Sequence, residues 1–239
     1  MRWVSRRLVV LVCALVLASG VVAGCLPQTW VGWQYTPVRG YSELTPQQMA
    51  HYVDAVYWNS GGTVCSGLPY RATVSPLALA LYFYDEGQAQ YIRSDIAWAQ
   101  SILETGWFSF CGSVPPGANN FAGIGATGSA GGCAPVPGDI CSFSHPALGV
   151  RAQMQRLNRY ANPADASSLA RPLVPQRGWA NATQYNHWTS WQGTKTIWQS
   201  LTGVWAASPC YDYRVLKLYN QMRTHYGLSP MPVAGSATC

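Results

Sequence analysis

Apolar side chains recur at helical spacing along most of this chain, in stretches separated by runs of Gly, Pro, Ser and Asn. The first stretch opens on Thr45, an N-cap, with Pro46 in the first helical position. Met49, Tyr52, Val53, Val56 and Tyr57 form its apolar face until Asn59 to Gly62 interrupts it. Ser75 and Pro76 repeat the start signal ahead of LALALYFYDEG, which is apolar nearly all round and so predicts a buried helix. A third helix is predicted from Ser94, read as its N-cap, with Asp95 in the first turn. Ile96, Ala99, Ile102 and Leu103 share one face, and Gly106 is the stop. The pattern lapses between Gly112 and His145. It resumes from Pro146, with Val150, Met154, Leu157 and Tyr160 or Ala161 on one face, and ends at Asn162 and Pro163. Ala164 to Gly193 reads as loop with room for one short helix, and Thr194 to Leu201 as a short helix. A last helix from near Pro209 aligns Tyr211, Val215, Leu218, Tyr219, Met222 and Tyr226 before Gly227 ends it. These elements predict an α+β fold, predominantly α, with a long Gly-rich loop and room for a small β-hairpin.

The N-terminus has another character. Arg2, Arg6 and Arg7 precede an apolar run from Leu8 to Leu17, the layout of an export signal over residues 1–24. Val22, Ala23, Gly24 and Cys25 resemble the lipobox of bacterial lipoproteins, which implies acylation of Cys25 and a lipid anchor in the membrane. Ordinary cleavage after Ala23 is the rival reading. Residues 25–42 carry Pro27, Pro37 and Gly40 and read as a tether, residues 43–228 as one domain, and 229–239 as a C-terminal tail. Without Cys13 and Cys25, six cysteines remain: Cys65, Cys111, Cys133, Cys141, Cys210 and Cys239. An even number suits disulfides in an oxidising compartment, and six allow fifteen pairings, among which spacing does not choose.

All nine acidic residues and twelve of the fifteen basic ones lie after position 24, so the formal charge falls from +6 to +3 on loss of the signal. With no basic run, nucleic acid is not an expected partner. No HExxH or CxxC spacing joins the four histidines and the cysteines, so neither a metal nor another cofactor is expected. A GxSxG elbow is absent too. Eleven Trp and fourteen Tyr are the stronger bias; most belong to a core, and the rest suit stacking on sugar rings.

Glu104 is the residue on which candidate chemistry centres. It falls in the last turn of its helix, where the dipole disfavours a carboxylate, and Trp107, Phe108 and Phe110 follow as apolar surroundings. Both influences raise a carboxyl pKa, as a general acid for glycosidic cleavage requires.

AQSILETGWFSF and NNFAGIGATG, with YDEGQAQYIRSDIA before them and GVRAQMQRLNRYA and WAASPCY after, resemble the bacterial glucosaminidase family that cleaves cell-wall glycan. The resemblance implies a lysozyme-like domain, peptidoglycan glycan strands as the partner, and Glu104 as catalytic acid. It implies for Asp139, in the loop after NNF, the place of a second carboxylate. The flanking PVPGDICSF departs from the family's Thr-x-Glu-Tyr, and Gly138-Asp139 reads equally as a turn. Trp107, Asn119, Asn120, Phe121, Gly123, Tyr160 and Trp205 become substrate-binding candidates. Trp205 stands where many relatives have the first Tyr of Tyr-Ala-Thr-Asp-Pro, so a hydroxyl role there is not carried over. Asn119 and Asn120 have the rival reading of a loop held by its own side-chain bonds. Glu86 reads as orienting its neighbours or pairing with Arg93, and Asp95 as a first-turn charge.

The expectation is an exported, lipid-anchored or secreted monomeric endo-β-N-acetylglucosaminidase. A muramidase or lytic transglycosylase acting on the neighbouring bond, or a wall-binding lipoprotein without activity, are the alternatives. The substrate's own acetamido group offers a route that needs no second carboxylate.

Overall fold

The computed structural model describes residues 35–59, 61, 67–125, 133–136, 140–188, 191–233 and 239. The expected export signal, Cys25, Cys65 and Asp139 lie outside the described residues. Thr45 caps α1 (Pro46–His51) in a capping box, accepting from the Gln48 amide while the Gln48 side chain accepts from Thr45 N–H. The helix then widens into a π-helical stretch, Tyr52–Trp58. Ser75 caps α2 (Pro76–Gln90) as its pattern predicts. This helix is not buried all round: Leu79, Ala80 and Phe83 face the core, whereas Leu77 and Leu81 are exposed. Its uniformly apolar sequence hides the solvent face, because periodicity cannot mark a face that carries no polar residues.

Helix α3 (Ser94–Thr105) carries Glu104 and ends on Gly106 in the left-handed conformation. Ser94 is not its cap. It is the first helical residue, fully buried against α2, where a Cβ on Gly87 would stand 2.4 Å from the Ser94 Cβ. Close approach of two helices, rather than capping, explains that small pair. Trp107, Phe108 and Phe110 follow with φ between +52° and +61°, a conformation costly for residues with a Cβ. The loop is held there by Phe108 and Phe110, which are buried in the core beside Trp98, Phe83 and Phe121.

In the Gly-rich region β1 (Ala134–Val136) pairs antiparallel with β2 (Ile140–Ser142), the small hairpin for which the sequence left room. Helix α4 (Pro146–Ala161) packs on α2, and α1 also packs on α2. A short α5 (Ala182–His187) interrupts the 164–193 loop. Thr194 to Leu201, expected to be helical, is one 3-10 turn over Trp198–Ser200 preceded by an extended Ile197 that bridges Pro37. Helix α6 (Tyr211–His225) lies against α3.

Two disulfides join Cys133 to Cys141 and Cys210 to Cys239, and Cys111 is disulfide-bonded as well. The second ties the expected C-terminal tail to the start of α6, and Pro232 O accepts from Thr36 and Gln199. Part of the expected tether is likewise inside the fold. Thr36 and Val38 are fully buried, and Val38 bonds through its backbone to Thr196 and Arg93.

Candidate active site

Glu104 is half-buried near the end of α3, and α6 supplies its main partner. The Tyr211 hydroxyl donates to Glu104 Oε1 at 2.5 Å. Burial and the neighbouring carboxyl push the Tyr211 pKa up, so the phenol keeps the proton it donates. Behind it runs a buried file of hydrogen bonds. Ser101 donates to Gln153 (3.0 Å), Gln153 to Gln100 (2.8 Å), and Gln100 to the Tyr211 hydroxyl (2.8 Å). Because Gln100 turns its N–H toward the Tyr211 oxygen and its own oxygen toward Gln153, the Tyr211 proton is directed to Glu104.

The other carboxyl oxygen faces the Gly-rich loop. A Cβ on Gly123 (φ +62°) would stand 3.1 Å from Glu104 Oε2, so the backbone touches the acid where any side chain would crowd it. The indole N–H of Trp205 bonds Ala122 O at 3.3 Å and also reaches the Glu104 carboxyl. Burial raises the Glu104 pKa above its ordinary value; the Tyr211 and Trp205 hydrogen bonds and the more distant Arg214 charge oppose without cancelling it. The apolar surroundings expected from Trp107, Phe108 and Phe110 are supplied by other residues. Phe108 and Phe110 turn into the core, and Trp107 stacks face to face on Tyr57, 3.5 Å between centroids, beside a separate cavity.

Gly123 and Trp205 line a cavity of about 320 Å³ together with Tyr160, Trp188 and Trp191. Two fully buried polar residues of α4 anchor the loop that follows the helix. Arg159 donates to the carbonyls of Ala164, Asn186 and Trp188, and Gln155 to those of Arg171 and Pro172. The loop from 164 to 188 is thereby fixed although it has little regular structure.

Asn119 and Asn120 hold the Gly-rich loop instead of facing the cavity. Asn120 is fully buried, donates to Ile124 O and Cys141 O, and accepts from the amides of Ala122 and Ile124. Its hydrogen-bonding capacity is used up. Asn119 donates to Phe143 O and accepts from Thr73. A Cβ on Gly149 would stand 1.7 Å from Asn119 O, so α4 needs a glycine where it meets this loop. Phe121, 1% exposed, is a core residue. Of the predicted residues the structure therefore gathers Glu104, Gly123, Tyr160 and Trp205, and sends Trp107, Asn119, Asn120 and Phe121 elsewhere.

Glu86, expected to orient its neighbours or pair with Arg93, makes a two-pronged ion pair with Arg151 instead. Arg93 pairs with Asp95 and Glu43. No carboxylate among the described residues lines the cavity, and none of the described His, Cys, Asp and Glu residues forms a group of three able to hold a metal. Tyr211, Trp188 and Trp191 were not singled out from sequence. Tyr211 closes the WAASPCY segment but also lies on the apolar face of its helix, which masked it.

The Glucosaminidase family, described as mannosyl-glycoprotein endo-beta-N-acetylglucosaminidase, matches residues 80–224. That span holds Glu104, Gly123, Tyr160, Trp205 and Tyr211, and the chain belongs to this family, with a predominantly α, lysozyme-like glucosaminidase domain. An uncharacterized protein of Borreliella burgdorferi is 30% identical over 140 residues, 59% of this chain. The chain matches 59% of that relative's length. No solved structure matches.

Proposed function

We propose that the protein is a cell-envelope peptidoglycan hydrolase that cuts the β-1,4 bond on the reducing side of N-acetylglucosamine. The observation that carries this reading is Glu104 itself: a carboxyl whose pKa is raised by burial, oriented through Oε1 by Tyr211, beside an aromatic cavity. Because Oε1 accepts from Tyr211, the carboxyl proton belongs on Oε2, the oxygen at Gly123. From there it passes to the glycosidic oxygen as the bond breaks, and the Tyr211 and Trp205 donors stabilise the carboxylate left behind. Trp191, which is exposed, and Trp188 and Trp205, which are half-buried, offer faces for sugar rings, with the buried Tyr160 packed behind Trp188 and Trp205.

On the other side of the sugar the substrate's acetamido oxygen attacks the anomeric carbon, a route that needs no second carboxylate. Asp139 is the alternative group for that side. Export and a lipid anchor through Cys25 are part of the proposal and rest on the lipobox-like sequence. Among the described residues no helix is long and apolar enough to cross a membrane. The proposed protein is a monomer.

Incubation with purified peptidoglycan, followed by borohydride reduction and mass spectrometry of the new ends, tests the reading. Reduced N-acetylglucosamine ends made by wild type and not by Glu104→Gln are expected. Muramic or anhydromuramic ends would move the cut to the neighbouring bond; binding without cleavage would leave a wall-binding lipoprotein.

A further inference from the structure

The cavity beside Glu104 also holds two arginines, Arg156 on α4 and Arg177 in the loop beyond it. Arg156 is fixed from several sides. Its Nε donates to Gln176 Oε1 at 2.8 Å, another of its nitrogens donates to the Arg177 carbonyl, and the Tyr160 hydroxyl is a further partner. Its guanidinium carbon lies 5.1 Å from the Trp179 ring centroid and 5.5 Å from that of Trp188. Arg177 is exposed at the tip of a tight turn in which Gln176 and Trp179 exchange both backbone hydrogen bonds and Gly178 takes φ +101°. The turn places Arg177 in the lining of the cavity.

Among the described residues these two cations, like most of the others, take no part in the ion pairs of the fold. Arg93 and Arg223 share Glu43, and Arg151 has Glu86. Among the described residues no carboxylate forms a salt bridge with Arg156 or Arg177, while each repels the other across the cavity wall. Burial and the Arg177 charge both work to lower the Arg156 pKa, with Tyr160 opposing. Two like charges kept in one cavity without an anion are stabilised by a ligand that brings one.

We infer that Arg156 and Arg177 form a carboxylate-binding subsite that selects anionic glycan over neutral glycan at the same cleft. This rests on the glycan-hydrolase reading above. A strand of neutral N-acetylated sugars has no group for this pair. A wall strand has carboxylates from two sources, the amino acids of its peptide stems and, where a stem has been removed, the lactyl group of muramic acid. The exposed Arg177 guanidinium matches either, taking a carboxylate through paired N–H donors, while Arg156, whose Nε and Nη2 are engaged by Gln176 and the Arg177 carbonyl, contributes its charge.

The full chain, made inert by Glu104→Gln, allows binding to be read separately from cleavage. Kd is measured by tryptophan fluorescence for three soluble strands of equal length: stem-bearing, stem-stripped, and stem-bearing with all carboxyls converted to amides. The inert protein is expected to bind a carboxylate strand about tenfold tighter than the amidated strand, and Arg177→Gln is expected to bring that ratio close to one. Arg177→Lys, which keeps the charge but not the fork, is expected to fall between. Preference for stem-bearing over stem-stripped strands assigns the subsite to the stem, and the reverse assigns it to the lactyl group. Arg177 is exposed, so its variants fold; a melting temperature equal to that of the parent checks this. Equal binding of amidated and native strands, or an unchanged ratio in Arg177→Gln, overturns the subsite even if the active wild type cleaves wall glycan. Failure of wild type to cleave any strand, with the ratio intact, overturns the hydrolase reading instead.

Discussion

Asp95 and Glu104 lie on the same helix, nine positions apart, and their surroundings are opposite. Asp95 occupies the first turn, the positive end of the helix dipole, and is fully buried. It accepts from the Arg93 guanidinium, the Tyr219 hydroxyl at 2.7 Å, and the Glu43 amide at 2.8 Å. Glu43 in turn bonds Arg93 and Arg223, so two carboxylates and two guanidiniums close one network joining α3, α6 and the start of the domain. Glu104 occupies the last turn, the negative end, with hydrogen bonds from neutral groups only, and Arg214 acts on it at longer range. Burial of a compensated anion builds structure; burial of an uncompensated one raises its pKa and keeps a proton available. The two ends of α3 thus separate the stabilising carboxylate from the reactive one.

The largest effect that separates them is on rate. Glu104→Gln is expected to lower peptidoglycan cleavage by about 10²–10⁴-fold without loss of fold, checked by product quantification and thermal melting. It also carries a pH signature in stability. A carboxyl whose folded pKa exceeds its unfolded value binds protons more tightly when folded, so its contribution is full below the unfolded pKa and is lost as pH rises through the raised one. Glu104→Gln is therefore expected to be relatively more stable at neutral than at acid pH, measured by denaturant unfolding across pH. Asp95→Asn is the converse: cleavage chemistry retained, but stability lowered by about 3–5 kcal/mol because Arg93 is left buried and undercompensated. Urea unfolding reads this directly.

Tyr211→Phe acts at the reactive end of α3. Loss of the donor removes an influence that lowers the Glu104 pKa, so the alkaline limb of the rate profile is expected to move to higher pH. The buried Gln100 amide also loses its acceptor, at a cost of about 1–3 kcal/mol. The smallest effect is expected at Trp107, whose ring stacks on Tyr57 beside another cavity. Trp107→Phe is expected to change kcat/KM by less than about twofold.

Much of the helical scaffold is legible in the sequence because its signals are local. Thr45-Pro46 and Ser75-Pro76 each hold a cap and a first-turn proline within two residues. Glu104 and Gly106 are legible for the same reason, with acid and helix stop two residues apart. The site around Glu104 is less so, because its groups arrive from far along the chain. Gly123 is 19 positions away and Tyr211 is 107. Asn120 looks like a ligand-binding residue until its four backbone partners, one of them 21 positions on at Cys141, are seen. The charge pairing of Glu86 is hidden in the sequence because its partner Arg151 is 65 positions distant, whereas Arg93 is near in sequence but turned toward Asp95. Trp188 and Trp191 carry no periodic signal, and Trp188 is placed by the bonds from Arg159 to the Asn186 and Trp188 carbonyls.

Burial of Glu104, opposed only by neutral hydrogen-bond donors and the more distant Arg214 charge, makes it an acid. The chain has three glutamates, Glu43, Glu86 and Glu104, so selective ¹³C labelling of glutamate carboxyls yields a spectrum that Glu104→Gln assigns by subtraction. Titration of that resonance in the ligand-free protein is predicted to show a midpoint above the ordinary 4.5. A midpoint at or below 4.5 would show that burial does not make Glu104 the acid.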